Sequence, residues 1–339
     1  MNWALRHLLF FAESLIYGPG YGAIQNLIRN PTPLEPERLW QLINPDQPSA
    51  ANWFSENYPP AFLRRLLLAA KMRQDHLLGI AEHYDVSNEF YKLFLDQKYM
   101  FYSCADFASE EDTLEQAQTN KADFLLKLID PKPGEKILDL GCGWGPMLKR
   151  IYEETGDREQ LFGYTLSEEQ VEFNKQQNGF NVEFKNFITS DYPDEEFDKI
   201  YSIGAWEHVR RRDLPQVLAK LYRTLKPGGR MIKHFFCPLS DKLTNDAVIA
   251  QIFFPGSLQP AYPRQVREFE RAGFRITHQS IHDYRPTLRA WFDNLVRNRD
   301  RAIELVGVRT YNKYLVFLPA SYSYFDRGQA ILTRVVLQK

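Results

Sequence analysis

Apolar residues recur at helical spacing in the first part of the chain, most clearly in the leucine-rich stretch at 62–80. The apolar stretch at the amino terminus is typical of a short helix that ends at the Gly-Pro-Gly of 18–20. It has no basic segment ahead of its apolar part and carries Glu13 inside it, which argues against a targeting signal. We therefore expect residues 1–80 to form a helical N-terminal extension to a main domain at 81–339.

From about residue 134 the pattern changes to short apolar runs that alternate with helical segments and glycine-containing turns. Repeated strand–turn–helix units predict an α/β fold in which a mostly parallel sheet carries helices on both faces. With two further apolar runs near the carboxyl end, we expect the sheet to be seven-stranded. The predicted strands lie at 136–143, 161–167, 182–187, 197–209, 230–237, 274–284 and 330–339.

The composition argues against several classes of protein. The 42 basic and 43 acidic side chains give a formal net charge of −1, which does not favour a nucleic-acid-binding protein. No apolar run approaches the roughly 18 residues that a membrane-spanning helix needs. The cysteines, Cys104, Cys142 and Cys237, form neither a disulfide framework nor a metal-binding motif. We therefore expect a reducing compartment, the cytoplasm, and no metal.

Charge is distributed unevenly along the chain. Residues 134–200 hold 7 basic and 15 acidic side chains, whereas residues 285–339 hold 10 basic and 4 acidic ones. Two solvated faces of opposite sign would explain this balance. Alternatively, the basic carboxyl-terminal part and the arginine-containing stretch at 62–80 bind anionic lipid headgroups. In that case the protein associates reversibly, as a peripheral protein, with the inner face of the membrane.

A glycine-rich turn at 141–145 lies between the first predicted strand and a helix, where glycines let the backbone approach a ligand closely. A dinucleotide-binding fingerprint would place glycine or alanine at position 146, but Pro146 stands there. Asp139, just before the turn, would repel a diphosphate and attract a cation. These features favour the positively charged S-adenosylmethionine over a nicotinamide cofactor, and a purely structural turn is the alternative.

Several separated motifs resemble those of the cyclopropane-fatty-acyl-phospholipid synthase family of S-adenosylmethionine-dependent methyltransferases, which includes the mycolic acid cyclopropane synthases. The resemblance runs from about residue 80 to residue 339, and residues 1–80 carry none of these motifs. It implies a Rossmann-like class I methyltransferase domain. The motifs are HYDVSNEFYKLFLD (83–96), MFYSCADF (100–107), TLEQAQ (113–118), LDLGCGWG (138–145), GYTLSEEQ (163–170), FDKIYSIGAWEHV (197–209), LKPGG (225–229), IFFPGSLQP (252–260) and YRPTLRAW (284–291).

The resemblance also implies which residues line the cofactor site. The strand GYTLS at 163–167 lacks the acidic residue that many methyltransferases use for the ribose hydroxyls, and Thr165 and Gln170 offer a hydroxyl and an amide instead. Phe187 would flank the adenine. Plain burial is the alternative for each of these residues. The implied cofactor-binding residues are Tyr102, Ser103, Asp139, Gly141, Gly143, Gly145, Thr165, Leu166, Gln170 and Phe187.

The family pairs methyl transfer with a bound bicarbonate that acts as a base, and the residues that hold it map onto Cys104, Glu207, His234 and Tyr284. Imidazole and phenol can donate to an oxyanion, a thiol can do so weakly, and Glu207 can accept the bicarbonate O–H. A weakly nucleophilic base suits a reaction that passes through a carbocation, because a strong nucleophile would trap the cation. For each of the four residues the alternative is burial without a catalytic role.

We therefore expect an enzyme that transfers a methyl group to the double bond of an unsaturated acyl chain of a membrane phospholipid. The product is a cyclopropane, or a methyl or methylene branch, formed by proton loss to bicarbonate. One alternative is a small-molecule N- or C-methyltransferase of the same family, and another is a cofactor-binding protein without turnover at the membrane. No nucleic-acid partner is expected, and a homodimer stays open.

Overall fold

The computed structural model describes residues 3–46, 57–71 and 87–339 of the 339-residue chain. The chain divides into two compact units. The helical unit comprises Met1–Leu95, Asp241–Leu258 and Leu288–Gly328, and the sheet unit comprises Asp96–Ser240, Gln259–Thr287 and Gln329–Lys339. The domain boundary expected near residue 80 falls within 72–86, outside the described residues, and stays a prediction.

Helices occur in both units, and none of those described is both long enough and apolar enough to cross a membrane. In the described residues the α-helices are α1 (Trp3–Tyr17), α2 (Pro19–Ile28), α3 (Pro36–Ile43), α4 (Ala61–Lys71), α5 (Asn88–Tyr91), α6 (Leu114–Ile129), α7 (Pro146–Thr155), α8 (Glu168–Phe173), α9 (Leu214–Thr224), α10 (Asn245–Ile249), α11 (Tyr262–Arg271), α12 (Arg285–Arg297) and α13 (Arg299–Asp326).

The break between α1 and α2 confirms the helix end predicted at Gly-Pro-Gly. Gly18 has a φ of +105°, which a residue with a side chain rarely adopts, and Pro19 then begins α2. Proline is tolerated there because the first turn of a helix has no partner for its N–H groups. The helix predicted at 62–80 is present as α4 up to Lys71, and residues 72–80 lie outside the described residues.

The helical unit packs early helices against late segments of the chain. Tyr21 of α2, Leu68 of α4 and Val248 of α10 form one apolar cluster. The side-chain oxygen of Asn312 on α13 accepts a 3.1 Å hydrogen bond from the N–H of Leu34. The unit therefore takes its core from residues that are more than 200 positions apart in sequence.

Helix α1 exposes a row of apolar side chains. Leu8, Phe11 and Leu15 lie on one side of the helix at spacings of three and four, and their exposed fractions are between 66% and 71%. The opposite side carries the charge, since Glu13 forms a 2.6 Å ion pair with Arg29, which directly follows α2. Leu9, Phe10 and Tyr17 of the same helix are half-buried, so α1 carries apolar side chains on both sides. It leaves an apolar strip, Leu8–Phe11–Leu15, on the surface of the helical unit.

Seven strands form a single sheet in the order β3-β2-β1-β4-β5-β7-β6. Strands β1 to β5 pair in parallel, and β7 runs antiparallel between β5 and β6. This confirms the predicted seven-stranded, mostly parallel sheet. The strands are β1 (Ile137–Leu140), β2 (Leu161–Thr165), β3 (Asn181–Phe184), β4 (Phe197–Ile203), β5 (Leu225–Pro238), β6 (Arg275–His282) and β7 (Ala330–Gln338).

Side chains alternate along the strands between two apolar layers. Leu138 of β1 belongs to the layer that includes Leu218 of α9. Its neighbour Ile137 belongs to the other layer, with Leu125 of α6. Because successive side chains of a strand point to opposite faces, helices cover both faces of the sheet, as predicted.

The strand ends that differ most from the prediction are the end of β4 and the start of β5. Strand β4 ends at Ile203 instead of continuing to residue 209, because the chain enters a short 3-10 helix at Trp206–His208. The strand predicted at 230–237 begins earlier, at Leu225, and residues 226–229 form a bulge inside β5, where the register against β4 jumps from Leu225 to Arg230. The early end of β4 matters for the site, because it sends Glu207 across the end of the sheet.

Candidate active site

The order in which the chain adds strands to the sheet reverses between β1 and β4. Strands β2 and β3 follow on one side of β1, and β5 follows on the other side of β4. In open α/β sheets, ligands bind beyond the carboxyl ends of the strands at such a point. The loops that follow β1 and β4 are in close contact there, because a Cβ built on Gly141 would lie 2.3 Å from the Cβ of Ala205. The predicted site residues all belong to the sheet unit.

The glycine turn at 141–145 has positive φ angles, which residues with a side chain adopt only with strain. Gly141, Gly143 and Gly145 have φ angles of +88°, +56° and +75°. A Cβ on Gly145 would lie 2.1 Å from the side chain of Asn174, so that glycine is required by packing. A Cβ on Gly143 would meet nothing within 4 Å. The turn therefore leaves space beside Gly143, at the amino end of α7, where a ligand can approach the backbone.

Asp139 is a buried carboxyl group at the carboxyl end of β1, and its Oδ1 atom has no hydrogen-bond partner among the residues that the structure describes. Burial raises the pKa of Asp139 to about 8, and the neighbouring Tyr201 hydroxyl offsets part of that effect. A cation beside the carboxylate would compensate for its lost solvation. The site residues therefore fit the positively charged end of S-adenosylmethionine.

Thr165 and Gln170 lie together beyond β2. The Thr165 hydroxyl donates a 2.5 Å hydrogen bond to Oε1 of Gln170 on α8, which directs the amide nitrogen of Gln170 away from Thr165. Leu166 follows Thr165 and is half-buried. The N–H of Gly141 donates to the carbonyl of Tyr164 at 2.9 Å, so this group adjoins the glycine turn.

Tyr102 and Ser103 reach the same edge of the sheet. A Cβ built on Gly204 would lie 3.2 Å from the Cβ of Ser103, so Ser103 packs directly on the end of β4. The Ser103 hydroxyl accepts a 2.8 Å hydrogen bond from Nζ of Lys121, and its carbonyl accepts one of 3.0 Å from Gln118. Both donors lie on α6, which thus holds the Tyr-Ser-Cys segment beside β4.

Phe187 is buried, with only 8% of its surface exposed. Its ring stacks on Trp206 with 6.3 Å between centroids and 18° between planes. Its carbonyl accepts a 2.8 Å hydrogen bond from the Tyr192 hydroxyl. The rings of Phe187 and Trp206 both belong to the apolar cluster on one face of the sheet, and a contact of Phe187 with an adenine stays a prediction.

Glu207 lies in the 3-10 helix after β4 and is almost completely buried. Its Oε1 atom accepts a 3.1 Å hydrogen bond from the N–H of Phe236, and its Oε2 atom has no partner among the described residues. Burial raises the pKa of Glu207 to about 7, against smaller opposing effects from backbone N–H groups and Lys233. The carboxyl can therefore change its protonation state near neutral pH.

His234 lies on β5 opposite Ile203 of β4, and its carbonyl accepts a 2.9 Å hydrogen bond from the N–H of Gly204. Its Nδ1 atom accepts a 2.9 Å hydrogen bond from Nε of Arg334, whereas Nε2 is buried and has no partner in the described part of the chain. Burial, with the positive charges of Arg334 and Lys121, lowers the pKa of His234 well below its ordinary value. The imidazole is therefore neutral.

Cys104 is fully buried, and its thiol donates a 3.4 Å hydrogen bond to the carbonyl of Asp283. This contact joins the Tyr-Ser-Cys segment to the backbone that carries Tyr284, which is half-buried. Burial raises the pKa of the Cys104 thiol to about 12. Cys104 is therefore a neutral, weak hydrogen-bond donor and not a thiolate nucleophile.

The sequence prediction missed the charged residues behind His234. Arg334 on β7 donates to both carboxylate oxygens of Asp106, at 2.6 and 2.8 Å, as well as to His234. A signal was present, because Arg334 interrupts the apolar run AILTRVVLQ and Asp106 belongs to the motif MFYSCADF. An arginine in a strand that is buried on both faces needs a buried partner.

The site offers one buried carboxylate oxygen and one buried ring nitrogen, and strand β5 holds both residues. Glu207 is held by the backbone of Phe236, two residues beyond His234 on the same strand. Glu207 Oε2 and His234 Nε2 are both without partners in the described residues. Such a pair suits a small oxyanion that also carries a proton. No three His, Cys, Asp or Glu side chains among the described residues cluster as metal ligands.

Comparisons with known proteins identify relatives of the chain. A family model described as mycolic acid cyclopropane synthetase matches residues 71–335. Cyclopropane mycolic acid synthase 3 of Mycobacterium tuberculosis is 32% identical over 293 residues, which cover 78% of this chain and 98% of that protein.

Solved structures show the same fold. The crystal structure of mycolic acid cyclopropane synthase CmaA1 complexed with SAH and CTAB aligns with a TM-score of 0.70 at 29% identity, covering 78% of this chain and 99% of that one. Coclaurine N-methyltransferase bound to N-methylheliamine and SAH aligns with a TM-score of 0.64 at 18% identity over 99% of both chains. The family model and the 32% identical relative both extend over most of the chain, so the resemblance of the separated motifs is confirmed. The protein belongs to the mycolic acid cyclopropane synthetase family and is an S-adenosylmethionine-dependent methyltransferase.

Proposed function

We propose that this methyltransferase acts on the double bond of an unsaturated acyl chain in a membrane phospholipid and converts it to a cyclopropane. The observation that carries the proposal is the buried pair of Glu207 and His234, each with one polar atom that lacks a partner among the described residues. The pair would accept the proton that the reaction releases, either directly through Glu207 or through an anion that the two residues hold. The relatives named as cyclopropane mycolic acid synthases support an acyl chain as the acceptor.

The chemistry of an alkene requires a site from which water is excluded. An alkene is a weak nucleophile, and methyl transfer to it leaves a carbocation on the adjacent carbon. Loss of a proton from the new methyl group closes a three-membered ring, whereas loss of a proton from the chain leaves a methyl branch. Water would trap the cation, so the burial of Cys104, Glu207 and His234 suits this reaction.

The residues of this chain have distinct tasks in that reaction. When bound, S-adenosylmethionine supplies an electrophilic methyl group and bicarbonate supplies a weakly nucleophilic base. Asp139 and the glycine turn at 141–145 would hold the methionine end of the cofactor. Thr165 and Gln170 would hold its ribose.

Glu207 and His234 would hold the bicarbonate from two sides. Oε2 of Glu207 would accept its O–H, which raises its basicity, and Nε2 of His234 would face one of its other oxygens. Tyr284 would donate a further hydrogen bond, and the Cys104 thiol would donate weakly by turning from the carbonyl of Asp283. A bound bicarbonate thus fits the donors and acceptors that the buried site presents.

We further propose that the enzyme reaches its substrate at the membrane surface through the apolar strip of α1. Exposed Leu8, Phe11 and Leu15 can enter the boundary between headgroups and acyl chains. The basic residues of 285–339 contribute less to membrane binding than their number indicates. Arg334 is buried, and Arg289 is paired with Asp293 at 3.0 Å.

Expression in a host that makes unsaturated but no cyclopropane fatty acids tests the proposal. We expect mass spectrometry of the host phospholipids to show acyl chains one methylene group heavier than the unsaturated parent, which is depleted in proportion. Cells that express Glu207→Gln should retain the parent chains. Unchanged acyl chains, with a newly methylated amine in the small-molecule extract, would overturn the proposal in favour of an N-methyltransferase.

A further inference from the structure

Arg334 and His234 are directly paired across two strands of the sheet. In the antiparallel ladder between β5 and β7, His234 and Arg334 are opposite each other. Cross-strand partners of this kind lie close enough for their side chains to interact. Both side chains are buried, and Nε of Arg334 lies 2.9 Å from Nδ1 of His234.

This contact determines which nitrogen of the imidazole carries the proton. A guanidinium group has only donors and no acceptor, so Nδ1 of His234 must accept the hydrogen bond with its lone pair. A neutral imidazole has one N–H, and with Nδ1 acting as the acceptor it lies on Nε2. The unpartnered Nε2 atom of His234 is therefore an N–H donor.

Asp106 fixes the position of Arg334. Its two carboxylate oxygens accept hydrogen bonds of 2.6 and 2.8 Å from the terminal nitrogens of Arg334, so the fork is bidentate. His282 contacts the same carboxylate, with Nδ1 at 3.2 Å from Oδ1. Burial alone would raise the pKa of Asp106, but these partners outweigh it and lower the pKa to about 2. Asp106 thus stays ionised at neutral pH and holds Arg334 in place.

The other charged groups around His234 oppose a second proton on the ring. Arg334, Lys121 and His282 are the basic groups that act on it, and each disfavours the imidazolium form. Asp106 is the acidic group of the cluster, and both of its oxygens are engaged by Arg334. An imidazole in this setting has no lone pair that faces the substrate and little tendency to become a cation.

We propose that Arg334, held by Asp106, is a positioning residue that locks His234 as a hydrogen-bond donor through Nε2 and prevents it from acting as the base. The consequence for catalysis rests on the function proposed above. His234 would donate to the anion that takes the proton, and the proton of the substrate would go to that anion or to Glu207. The three residues Asp106, Arg334 and His234 then act as one unit.

Nitrogen NMR of the unmodified enzyme labelled with 15N-histidine tests the lock directly. Signals of His234, one of seven histidines, are identified by their loss in His234→Gln. We expect a protonated, pyrrole-type Nε2 and an unprotonated, pyridine-type Nδ1 that do not change between pH 6 and 9. A protonated Nδ1, or titration to imidazolium in that range, would overturn the inference.

A paired variant tests the part played by Arg334. Arg334→Met combined with Asp106→Asn removes both charges together, because removing one alone would leave an unpaired buried ion. We expect the two tautomers of His234 to become mixed and kcat to fall about 10- to 100-fold, as is typical when the group that orients a working imidazole is lost. Binding of S-adenosylhomocysteine should not change.

The matched control is Arg150→Met with Asp123→Asn, which removes a 3.0 Å ion pair elsewhere in the sheet unit. It should leave the His234 signals and kcat as they are. If His234 keeps the same tautomer in the variant Arg334→Met with Asp106→Asn as in the unmodified enzyme, the inference is wrong. The NMR result does not depend on which molecule accepts the methyl group. If the predicted tautomer is found but the enzyme does not modify acyl chains, the role of Arg334 stands and only the proposed function is refuted.

Discussion

Glu207 accepts a 3.1 Å hydrogen bond from the backbone N–H of Phe236, which lies two residues beyond His234 on β5. A single strand therefore positions both candidate catalytic groups, one through its backbone and the other through its side chain. The bond occupies Oε1 and leaves Oε2 as the atom that can accept a proton. Small shifts of β5 would move both groups together.

Replacing Glu207 tests its part in proton removal. Glu207→Gln keeps the size of the side chain but removes the negative charge, and we expect kcat to fall ~10²–10⁴-fold. Because Glu207 and the cofactor residues lie on different loops, binding of S-adenosylhomocysteine should stay within about twofold of the unmodified enzyme by calorimetry, a change worth only a few tenths of a kcal/mol. The matched control is Glu183→Gln, at an exposed position of β3. Normal turnover in Glu207→Gln would show that the reactive centre lies elsewhere.

The same carboxyl group predicts a pH profile. Burial raises the pKa of Glu207 to about 7, so the group is protonated and unable to accept a proton below that pH. We expect kcat to fall about tenfold per pH unit below pH 7, as for a single required carboxylate, and to level off above it. Initial rates between pH 5.5 and 8.5, with the fold checked by circular dichroism at each pH, provide the measurement. A profile that is flat across pH 7 would contradict this role of Glu207.

Asp139 should lower the stability of the ligand-free protein and strengthen the binding of S-adenosylmethionine. Its pKa of about 8 lies above the ordinary value of 3.8, so the folded, ligand-free protein keeps a proton that the unfolded chain releases between those two values. The free energy of unfolding should therefore fall as pH rises from about 4 to 8. Asp139→Asn should remove this fall and raise the ligand-free melting temperature at pH 8, but it should weaken S-adenosylmethionine binding at least tenfold, the equivalent of about 1.4 kcal/mol.

Binding to the unmodified protein gives a second measurement on Asp139. A cationic ligand favours the carboxylate, so binding should release a proton and tighten as pH rises towards 8. Calorimetry in two buffers of different ionisation enthalpy measures that proton. Unchanged binding by Asp139→Asn would contradict the contact.

The apolar strip on α1 predicts a membrane phenotype. Phe11→Asp should weaken co-sedimentation with vesicles of unsaturated phosphatidylethanolamine and phosphatidylglycerol about tenfold or more, because it removes one buried aromatic ring from the bilayer. The matched control is Phe184→Asp, whose ring is 56% exposed on β3 of the sheet unit. Added salt should weaken only the electrostatic part of the binding. Equal losses in both variants, or none in either, would contradict a specific role of α1.

The sheet and the cofactor turn were predictable because their signals are local. Short apolar runs define the strands, and the glycines of 141–145 stand where φ is positive and a Cβ would clash or fill the open space. The separated motifs added the family and the candidate residues. The ends of β4 and β5 were less predictable, because the 3-10 helix at Trp206–His208 and the bulge at 226–229 depend on the neighbouring strands.

Long-range pairing explains what the sequence did not reveal. Arg334 meets His234 only because β7 returns antiparallel to β5 in one particular register, which no local pattern specifies. The helical unit takes residues 241–258 and 288–328 for a similar reason, since an amphipathic helix does not indicate its partner. Helix α1 carries apolar residues on both sides, and only the structure shows that Leu8, Phe11 and Leu15 are the exposed ones.

The most direct test of the central claim uses S-adenosylmethionine with a fully deuterated methyl group and vesicles of unsaturated phospholipid. Ring closure through loss of a methyl proton predicts an acyl product that retains two of the three deuterium atoms, at a rate that falls ~10²–10⁴-fold in Glu207→Gln. A product that retains all three deuterium atoms would show a methyl branch and contradict ring formation. Deuterium that appears only on added amines, and never on the acyl chains, would contradict the acyl-chain acceptor itself.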